Sequence, residues 1–360
     1  MSGSRLQSAA RAAGRFFLRQ TMVQAYLHSA GAAYGGGRGE AEFLIGGQAV
    51  IEGVMMRSPH AYAVAVRRPD GEMATLRRPW SRPSDKRRFW RWPVLRGLAV
   101  LGQAMALGVR ALRFSGRAAL GEDEPASTAL SAAAEPASAA APRAAKKDES
   151  SAGVIASVAG SVIFFIAFYK FLPLLAATGL ARVAPAFRGQ IMFNLADGIV
   201  RLALFVGFIA ALALLPDIRR VYEYHGAEHK VVFNYESGQA VTVANARRCG
   251  RLHPRCGTSF MVVILLLAIV VYIFIPLDGF WIKLAIRLAL LPLLVGGGYE
   301  IIRFSARHGR SLFALLARPG LWLQRITTRE PDDGQLACAI RALEETMALE
   351  QTEGGELVIA

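Results

Sequence analysis

The sequence contains few cysteines and no set that would suggest a disulfide framework. Only Cys249, Cys256 and Cys338 occur in 360 residues. This excludes a small secreted domain held by disulfides and indicates a reducing compartment. No apolar core of a secretory signal follows the first arginines. The glycine-rich run at 35–39 also lacks the flanking strand and helix of a phosphate-binding loop.

Acidic residues are scarce relative to basic ones. The chain has 27 Asp and Glu against 42 Lys and Arg, for a formal charge of +15, and its mean hydropathy is +0.33. A soluble protein with this charge would suggest nucleic acid, but the high hydropathy indicates a membrane protein whose basic segments face the cytoplasm. A specific nucleic-acid ligand is therefore not expected. Residues 1–40, with five arginines before the first acid, are predicted to be a disordered basic extension.

Long apolar segments predict about four transmembrane helices. Residues 154–180, 191–215 and 259–277 are each close to the roughly 20 residues that a span requires. The weaker fourth candidate, 281–302, carries Lys283 and Arg287, whose long side chains can extend to the nearer interface. In 94–117 the uncharged run is too short, which predicts a helix that lies at the interface or packs on other helices.

The basic loops predict an orientation in the bacterial inner membrane. With four spans, the basic segments 216–258 and 303–329 fall on the same side. The positive-inside rule makes that side cytoplasmic, so both termini of a multi-pass protein are expected there.

The remaining segments predict soluble elements around the spans. A hairpin is expected at 61–78 around the turn at Pro69–Gly71, and an amphipathic helix follows Asp332 and Asp333. The fold class is therefore an α-helical polytopic membrane protein with about four transmembrane helices, a small α+β cytoplasmic N-terminal region and a C-terminal amphipathic helix. The predicted organisation is: basic extension 1–40; strand and hairpin region 41–92; interfacial helix 93–120; disordered linker 121–150; first two spans 151–215; cytoplasmic motif loop 216–258; last two spans 259–302; cytoplasmic C-terminal region 303–360.

The stretch "YHGAEHK" at 224–230 has the chemistry of a metal site. His225 and His229 are four residues apart and would share one helical face, with Glu228 beside them. This H-x-x-E-H order is the inverted form of a zinc-protease helix, in which the carboxylate is the general base. The alternative is a histidine–glutamate cluster paired at the membrane surface, because Gly226 is a poor helix former.

A second cluster follows in the same segment. Cys249, His253 and Cys256 have the spacing C-x3-H-x2-C, and thiolate and imidazole are both ligands for a divalent metal such as zinc. The alternative is a structural turn that leads into the third span. Arg255, next to Cys256, is a candidate for holding an anionic group in the active site.

Two isolated acids are further candidates for metal ligands. Glu300 lies at the end of the fourth predicted span, where an acid indicates function or an ion pair with Arg303 or Arg307. Glu52 follows an apolar run and needs a partner if buried, either Arg57 or a metal.

At these residues the sequence resembles the bacterial DUF1385 family, also called the YqhQ-like family, from about Ile45 to Leu343. The resemblance implies a bacterial inner-membrane protein and supplies no reaction. By motif position it implies roles for Glu52, Arg57, His225, Glu228, His229, His253, Cys256 and Glu300. The ordered motifs that carry it are "GGQAVIEGVMMRSP", "YHGAEHK", "HPRCGTSF", "YEIIR" and "PGLWLQRITTREPDDGQLACAIRAL".

Two classes of function remain open from the sequence. The first is a metal-dependent hydrolase at the cytoplasmic membrane face, with Glu228 as general base. The alternative is a non-catalytic membrane scaffold or assembly factor whose polar motifs are structural. Its basic face would bind anionic lipid, a protein partner or the ribosome, and the chain could associate with itself. A transporter is a weaker third hypothesis, since four spans are few.

Overall fold

The computed structural model describes residues 45–80, 88–122, 160–161, 163–254, 256–276, 278–307 and 312–353. The predicted basic extension, nearly all of the predicted linker and Arg255 lie outside the described residues. Within them the chain is mostly helical, with one small sheet near its beginning.

The strands precede the helices along the chain. The strands are β1 (Gly46–Val50), β2 (Gly53–Arg57), β3 (Ala61–Arg67) and β4 (Met73–Pro79). The α-helices are α1 (Leu95–Ala119), α2 (Leu172–Val183), α3 (Gln190–Leu212), α4 (Pro216–Glu236), α5 (Val243–Arg248), α6 (Gly257–Ile273), α7 (Phe280–Ala289), α8 (Leu291–Arg307), α9 (Leu312–Thr327) and α10 (Asp333–Glu353).

The sheet is an antiparallel meander in the order β1-β2-β3-β4. The hairpin predicted at 61–78 is confirmed as β3 and β4, and Gly71 supplies a left-handed residue in its turn, with φ +90°. β1 and β2 join through a two-residue turn whose second residue, Glu52, also has a positive φ of 53°. Glu52 is unusual in this respect, because residues with a Cβ rarely adopt the left-handed region.

Helices bury both faces of this sheet. Val54, Met56 and Ala65 pack against α4 and α10 on one face. Met55 and Val64 pack against α1 on the other face. Because neighbouring residues of a strand point to opposite faces, burial on both sides explains why β2 reads as a continuous apolar run rather than an alternating one.

Three helical stretches are long and apolar enough to span a membrane, namely α1, Ile163–Val183 and α3. The pair α7 and α8, bent by 48°, would make a fourth span if it crosses as one. The prediction of about four apolar spans is thus supported by length and composition, but their membership differs. α6, predicted as a span, has only 17 residues, while α1, predicted at the interface, meets the length criterion and packs on the sheet.

The segment 216–258, predicted as a loop, is largely helical. α4 runs for 21 residues, with Pro216 in its first turn and Asp217 beside the positive end of the helix dipole. The histidine spacing had indicated one helical turn here, and the helix proves much longer. Because α4 carries a buried stripe of small and apolar residues toward the sheet and α10, tertiary packing stabilises a helix whose composition is polar.

The predicted C-terminal amphipathic helix is present as α10, and its apolar face covers the sheet. Leu336 and Leu343 are buried in the core shared with α4. Thr346 Oγ1 donates a hydrogen bond to the carbonyl of Met56 at 3.1 Å, and Ser58 Oγ donates to Glu350 Oε2 at 2.6 Å. These bonds fix the end of the described chain to its first hairpin.

Candidate metal centre

Three potential metal ligands converge where α4 meets the beginning of α6. His225 and His229 lie on one face of α4 with ring centroids 4.4 Å apart. Cys256 precedes α6 and brings its Sγ within 3.2 Å of His225 Nε2. One ligand atom from each of the three side chains lies within 4.8 Å of the other two.

The other ring nitrogen of each histidine faces a backbone carbonyl. His225 Nδ1 is 2.8 Å from the oxygen of Thr327, and His229 Nδ1 is 2.5 Å from that of Arg251. A carbonyl can only accept a hydrogen bond, so Nδ1 carries the proton in both rings and Nε2 keeps its lone pair. Metal-binding histidines use the same arrangement, in which a second hydrogen bond fixes the tautomer and the ring.

The protonation state of His229 also favours metal binding. His229 is almost fully buried, and burial lowers its pKa to about 4. The ring is therefore neutral near pH 7, the form in which imidazole binds a metal. The donor set, two imidazoles and a thiol, is one that zinc accepts.

The turn that carries Cys256 is held in place by α9. The side-chain amide of Gln324 bonds both backbone groups of His253, accepting from its N–H and donating to its carbonyl, each at 2.7 Å. Gln324 is itself buried. Sequence reasoning missed this residue, although a glutamine within the apolar stretch "LWLQRI" was an available signal.

Glu228 lies buried at the edge of the three-ligand group. Its Oε2 is 3.4 Å from His229 Nε2, and the N–H of Gly47 in β1 donates a hydrogen bond to its carboxylate. A Cβ at position 47 would come within 2.7 Å of Glu228 Oε1, so β1 can cover this side chain only because residue 47 is glycine. Burial raises the pKa of Glu228 above its ordinary value. The site thus includes a carboxyl group that readily holds a proton.

His253 packs behind the group. Its ring centroid is 5.6 Å from that of His229, and its Nε2 is 3.5 Å from Glu236 Oε2. Burial lowers the pKa of His253 to about 4. The His253 ring therefore packs against the His229 ring and is not one of the three converging ligands, which are His225, His229 and Cys256.

The two isolated acids are placed in ion pairs away from the histidines. Glu52 accepts hydrogen bonds from Nε and Nη2 of Arg220 and from Tyr224 Oη. Its left-handed backbone conformation in the turn directs the carboxylate toward α4. Its ion-pair partner is thus Arg220, where the sequence suggested Arg57 or a metal.

Glu300 pairs with Arg96, again through two guanidinium nitrogens, one of them at 2.6 Å from Oε1. Small residues make this pair possible. A Cβ on Gly97 would lie 2.7 Å from Tyr299, and one on Gly296 would lie 2.6 Å from the carbonyl of Val94. α1 and α8 can therefore approach closely, and the acid meets Arg96 of α1.

The family model described as "Protein of unknown function (DUF1385)" matches residues 92–349. The chain belongs to the DUF1385 family. This confirms the resemblance seen in the sequence, and the matched range contains His225, His229 and Cys256. The motif around Glu52 lies before it, in the sheet. The family description states no activity, so the DUF1385 match adds no reaction to the geometry.

One bacterial protein is similar to the chain along most of its length. It is "Uncharacterized protein YqhQ" of Bacillus subtilis (strain 168), to which the chain is 33% identical over 308 residues, covering 85% of this chain and 92% of the relative. No solved structure matches the chain.

Proposed function

We propose that the protein is a membrane-embedded, metal-dependent hydrolase whose centre lies at the cytoplasmic membrane face. One observation carries the proposal: the ligand atoms of His225, His229 and Cys256 converge within 4.8 Å while each histidine Nδ1 is bound to a carbonyl. Three protein ligands that leave a further position open are typical of catalytic zinc sites. A divalent metal such as zinc would supply a water of lowered pKa when bound.

The protein's own groups supply the proton chemistry in this proposal. Glu228 is 6% exposed, and its raised pKa makes it a better proton acceptor than an ordinary carboxylate. Its Oε atoms would take the proton of the attacking water, and the Gly47 N–H would hold the carboxylate in position. Arg255 remains our candidate for an anionic group of the substrate.

Shared cores support four membrane spans in this proposal. Val54 and Met56 of the sheet share one core with Tyr224 and Ala227 of α4. The sheet and α4 must therefore lie on one side of the membrane, so an even number of spans separates them. If α1, α2 and α3 all crossed, that number would be odd, which favours α1 as a surface helix on the sheet.

The same parity applies to the later spans. α10 shares this core too, so an even number of crossings separates α4 from α10. α6 and the bent pair of α7 and α8 satisfy this requirement, although α6 is only about 26 Å long at 1.5 Å per residue. In this arrangement both termini and the metal centre are cytoplasmic, in line with the basic loops.

Cysteine labelling tests this topology. We expect Ala186→Cys, in the exposed connection between α2 and α3, to react with an impermeant thiol reagent on intact cells. Gln239→Cys, after α4, should react only after lysis. The unsubstituted chain gives the background from its own cysteines, and labelling of residue 239 on intact cells would reverse the orientation.

Glu228→Gln tests catalysis separately from metal binding. The substitution preserves shape and removes the proton acceptor, so we expect zinc content within about twofold of the original chain and loss of function. The measurement compares metabolites and lipids of a deletion strain carrying either chain. We expect the original chain to clear a compound that accumulates in the deletion strain, and Glu228→Gln to leave it. Full restoration by Glu228→Gln would rule out the general-base role.

A second candidate function is a non-catalytic scaffold with a structural metal. It is favoured by the way His225 connects α4 to Cys256 before α6 and to Thr327 at the end of α9. The ion pairs of Glu52 and Glu300 likewise join separate elements. Such a scaffold would offer its basic cytoplasmic face to anionic lipid, a protein partner or the ribosome. In that case Glu228→Gln would restore the deletion strain, whereas His225→Ala would not.

A further inference from the structure

A second polar cluster lies among the apolar helices, at the other end of α6 from the metal centre. Tyr272 and Cys256 are sixteen residues apart along this helix, or about 24 Å. Beside Tyr272, Arg287 of α7 donates to Asp197 Oδ1 at 2.6 Å and to Asn194 Oδ1 at 2.8 Å. Arg201, one helical turn after Asp197 in α3, donates to the other oxygen of Asp197.

Buried cations outnumber carboxylates in this cluster. Arg201 is 1% exposed and Arg287 3% exposed, and their guanidinium carbons lie 5.4 and 4.8 Å from the centroid of the Tyr272 ring. Only the carboxylate of Asp197 opposes these two guanidinium groups, and Lys170 Nζ donates to Tyr272 Oη at 3.2 Å. Arg201 Nη1 is buried without a hydrogen-bond partner among the described residues. Uncompensated buried charge is costly, so this cluster favours an anion nearby.

A cavity of about 310 Å³ opens beside the cluster. Asn194, Tyr272 and Arg287 form part of its wall, so the buried charge of Arg287 faces a space that a ligand can enter. Arg188 and Lys283 also line the cavity and add two cations, while Asp278 adds one carboxylate. Around the cavity and the cluster behind it, the cations Arg188, Arg201, Lys283 and Arg287 therefore outnumber the carboxylates of Asp197 and Asp278.

The surroundings of the cavity suit a lipid. Phe274 and Trp281 flank the connection between α6 and α7 and are 78% and 71% exposed, and Ile191 at the beginning of α3 is also exposed. Exposed tryptophan beside basic residues at the ends of apolar helices is typical of the membrane–water interface. A headgroup in the cavity would leave its acyl chains against this apolar rim.

We infer that this cavity binds a phosphate-bearing anion, and that its source is the headgroup of an anionic membrane phospholipid. Arg287 forms the buried end of the site, where Asp197 and Asn194 fix the plane of its guanidinium. Arg188 and Lys283 provide the more accessible positive charges, and Asp278 opposes them. The site is independent of the proposed hydrolase centre.

Ligand titration of the purified full-length protein in dodecyl maltoside tests the inference. The probes are dioctanoyl phosphatidylglycerol and inorganic phosphate, with dioctanoylglycerol as the lipid without phosphate. We expect saturable binding of phosphatidylglycerol and none of dioctanoylglycerol. Lys283→Gln and Arg188→Gln should each weaken binding about tenfold, the size of one charge-assisted contact. Asp278→Asn should strengthen it.

Matched variants and competition decide between the outcomes. Arg182→Gln removes an exposed cation near the same connection but outside the cavity lining, and should change affinity less than twofold. If millimolar phosphate fails to displace phosphatidylglycerol, the site binds the lipid headgroup. If inorganic phosphate binds as tightly as phosphatidylglycerol, the site belongs to free phosphate. Equal losses in Arg182→Gln and Lys283→Gln, or no saturable binding of either phosphate probe, would overturn the site. Because these variants leave His225, His229 and Cys256 intact, failure here is distinct from failure of the metal centre.

Discussion

Replacing His225 or His229 by alanine is expected to abolish the stoichiometric zinc binding that we predict for the purified full-length chain. Each imidazole supplies one of the three ligand atoms that converge within 4.8 Å of one another. Loss of a supporting hydrogen bond already weakens metal sites by about 10–100-fold, so loss of a ligand should exceed about 100-fold. Metal analysis after dialysis, together with a competition titration against a chelator, measures both quantities.

The thiols provide a matched control for this experiment. Cys256→Ser should lose zinc like the histidine variants, whereas Cys249→Ser should keep it. Cys249 is also partly buried, but its Sγ faces the carbonyl of Asn245 at 3.5 Å rather than the histidines. An intact chain that carries no zinc after purification from zinc-replete cells would defeat the hydrolase proposal. If Cys256→Ser keeps its zinc as Cys249→Ser does, His225 and His229 do not act with Cys256.

Gly226→Ala is expected to cause the largest loss of stability among single substitutions near the site. A Cβ at residue 226 would fall far inside van der Waals contact with the carbonyl oxygen of Arg329, which is backbone and cannot rotate away. This segment is also tied to α4 by the hydrogen bond from the Arg329 N–H to the Tyr222 carbonyl at 2.8 Å. We expect the free energy of unfolding to fall by about 3 kcal/mol or more.

Gly102→Ala in α1 is the matched control. A Cβ there meets nothing within 4 Å, so only helix propensity changes, and stability should rise by up to about 1 kcal/mol. Thermal unfolding of both variants in the same detergent, followed by circular dichroism, gives the comparison. If the two glycine variants unfold alike, the close approach of α4 to Arg329 is incorrect.

The sequence predicted those parts of the fold and site that depend on local spacing. Four-residue spacing was enough to place His225 and His229 on one helical face, and the turn at Pro69–Gly71 was enough to predict the hairpin. The acids before α10 likewise marked where that helix begins. In each case the residues that form the sequence pattern lie within a few positions of the structural element that they predict.

The parts that could not be predicted depend on contacts distant in sequence. The carbonyls of Thr327 and Arg251, which orient the two imidazoles, could belong to any residue and leave no trace in side-chain patterns. Arg220 and Arg96, the partners of Glu52 and Glu300, are each more than 160 positions away. α4 was missed as a long helix because its buried stripe of small residues is recognisable only against the sheet that covers it.

The contact between β2 and α10 has a consequence for biogenesis. Ser58 and Glu350 are separated by 292 positions, and Thr346 reaches Met56 across 290. Synthesis proceeds from the N-terminus, so β2 is complete long before the helix that covers it. The face formed by Val54, Met56 and Ala65 therefore lacks the cover of α10, and has only α4 against it, while the last apolar helices enter the membrane. Closure of this high-contact-order core is a late folding step, and until then the nascent chain exposes a sheet surface prone to aggregation.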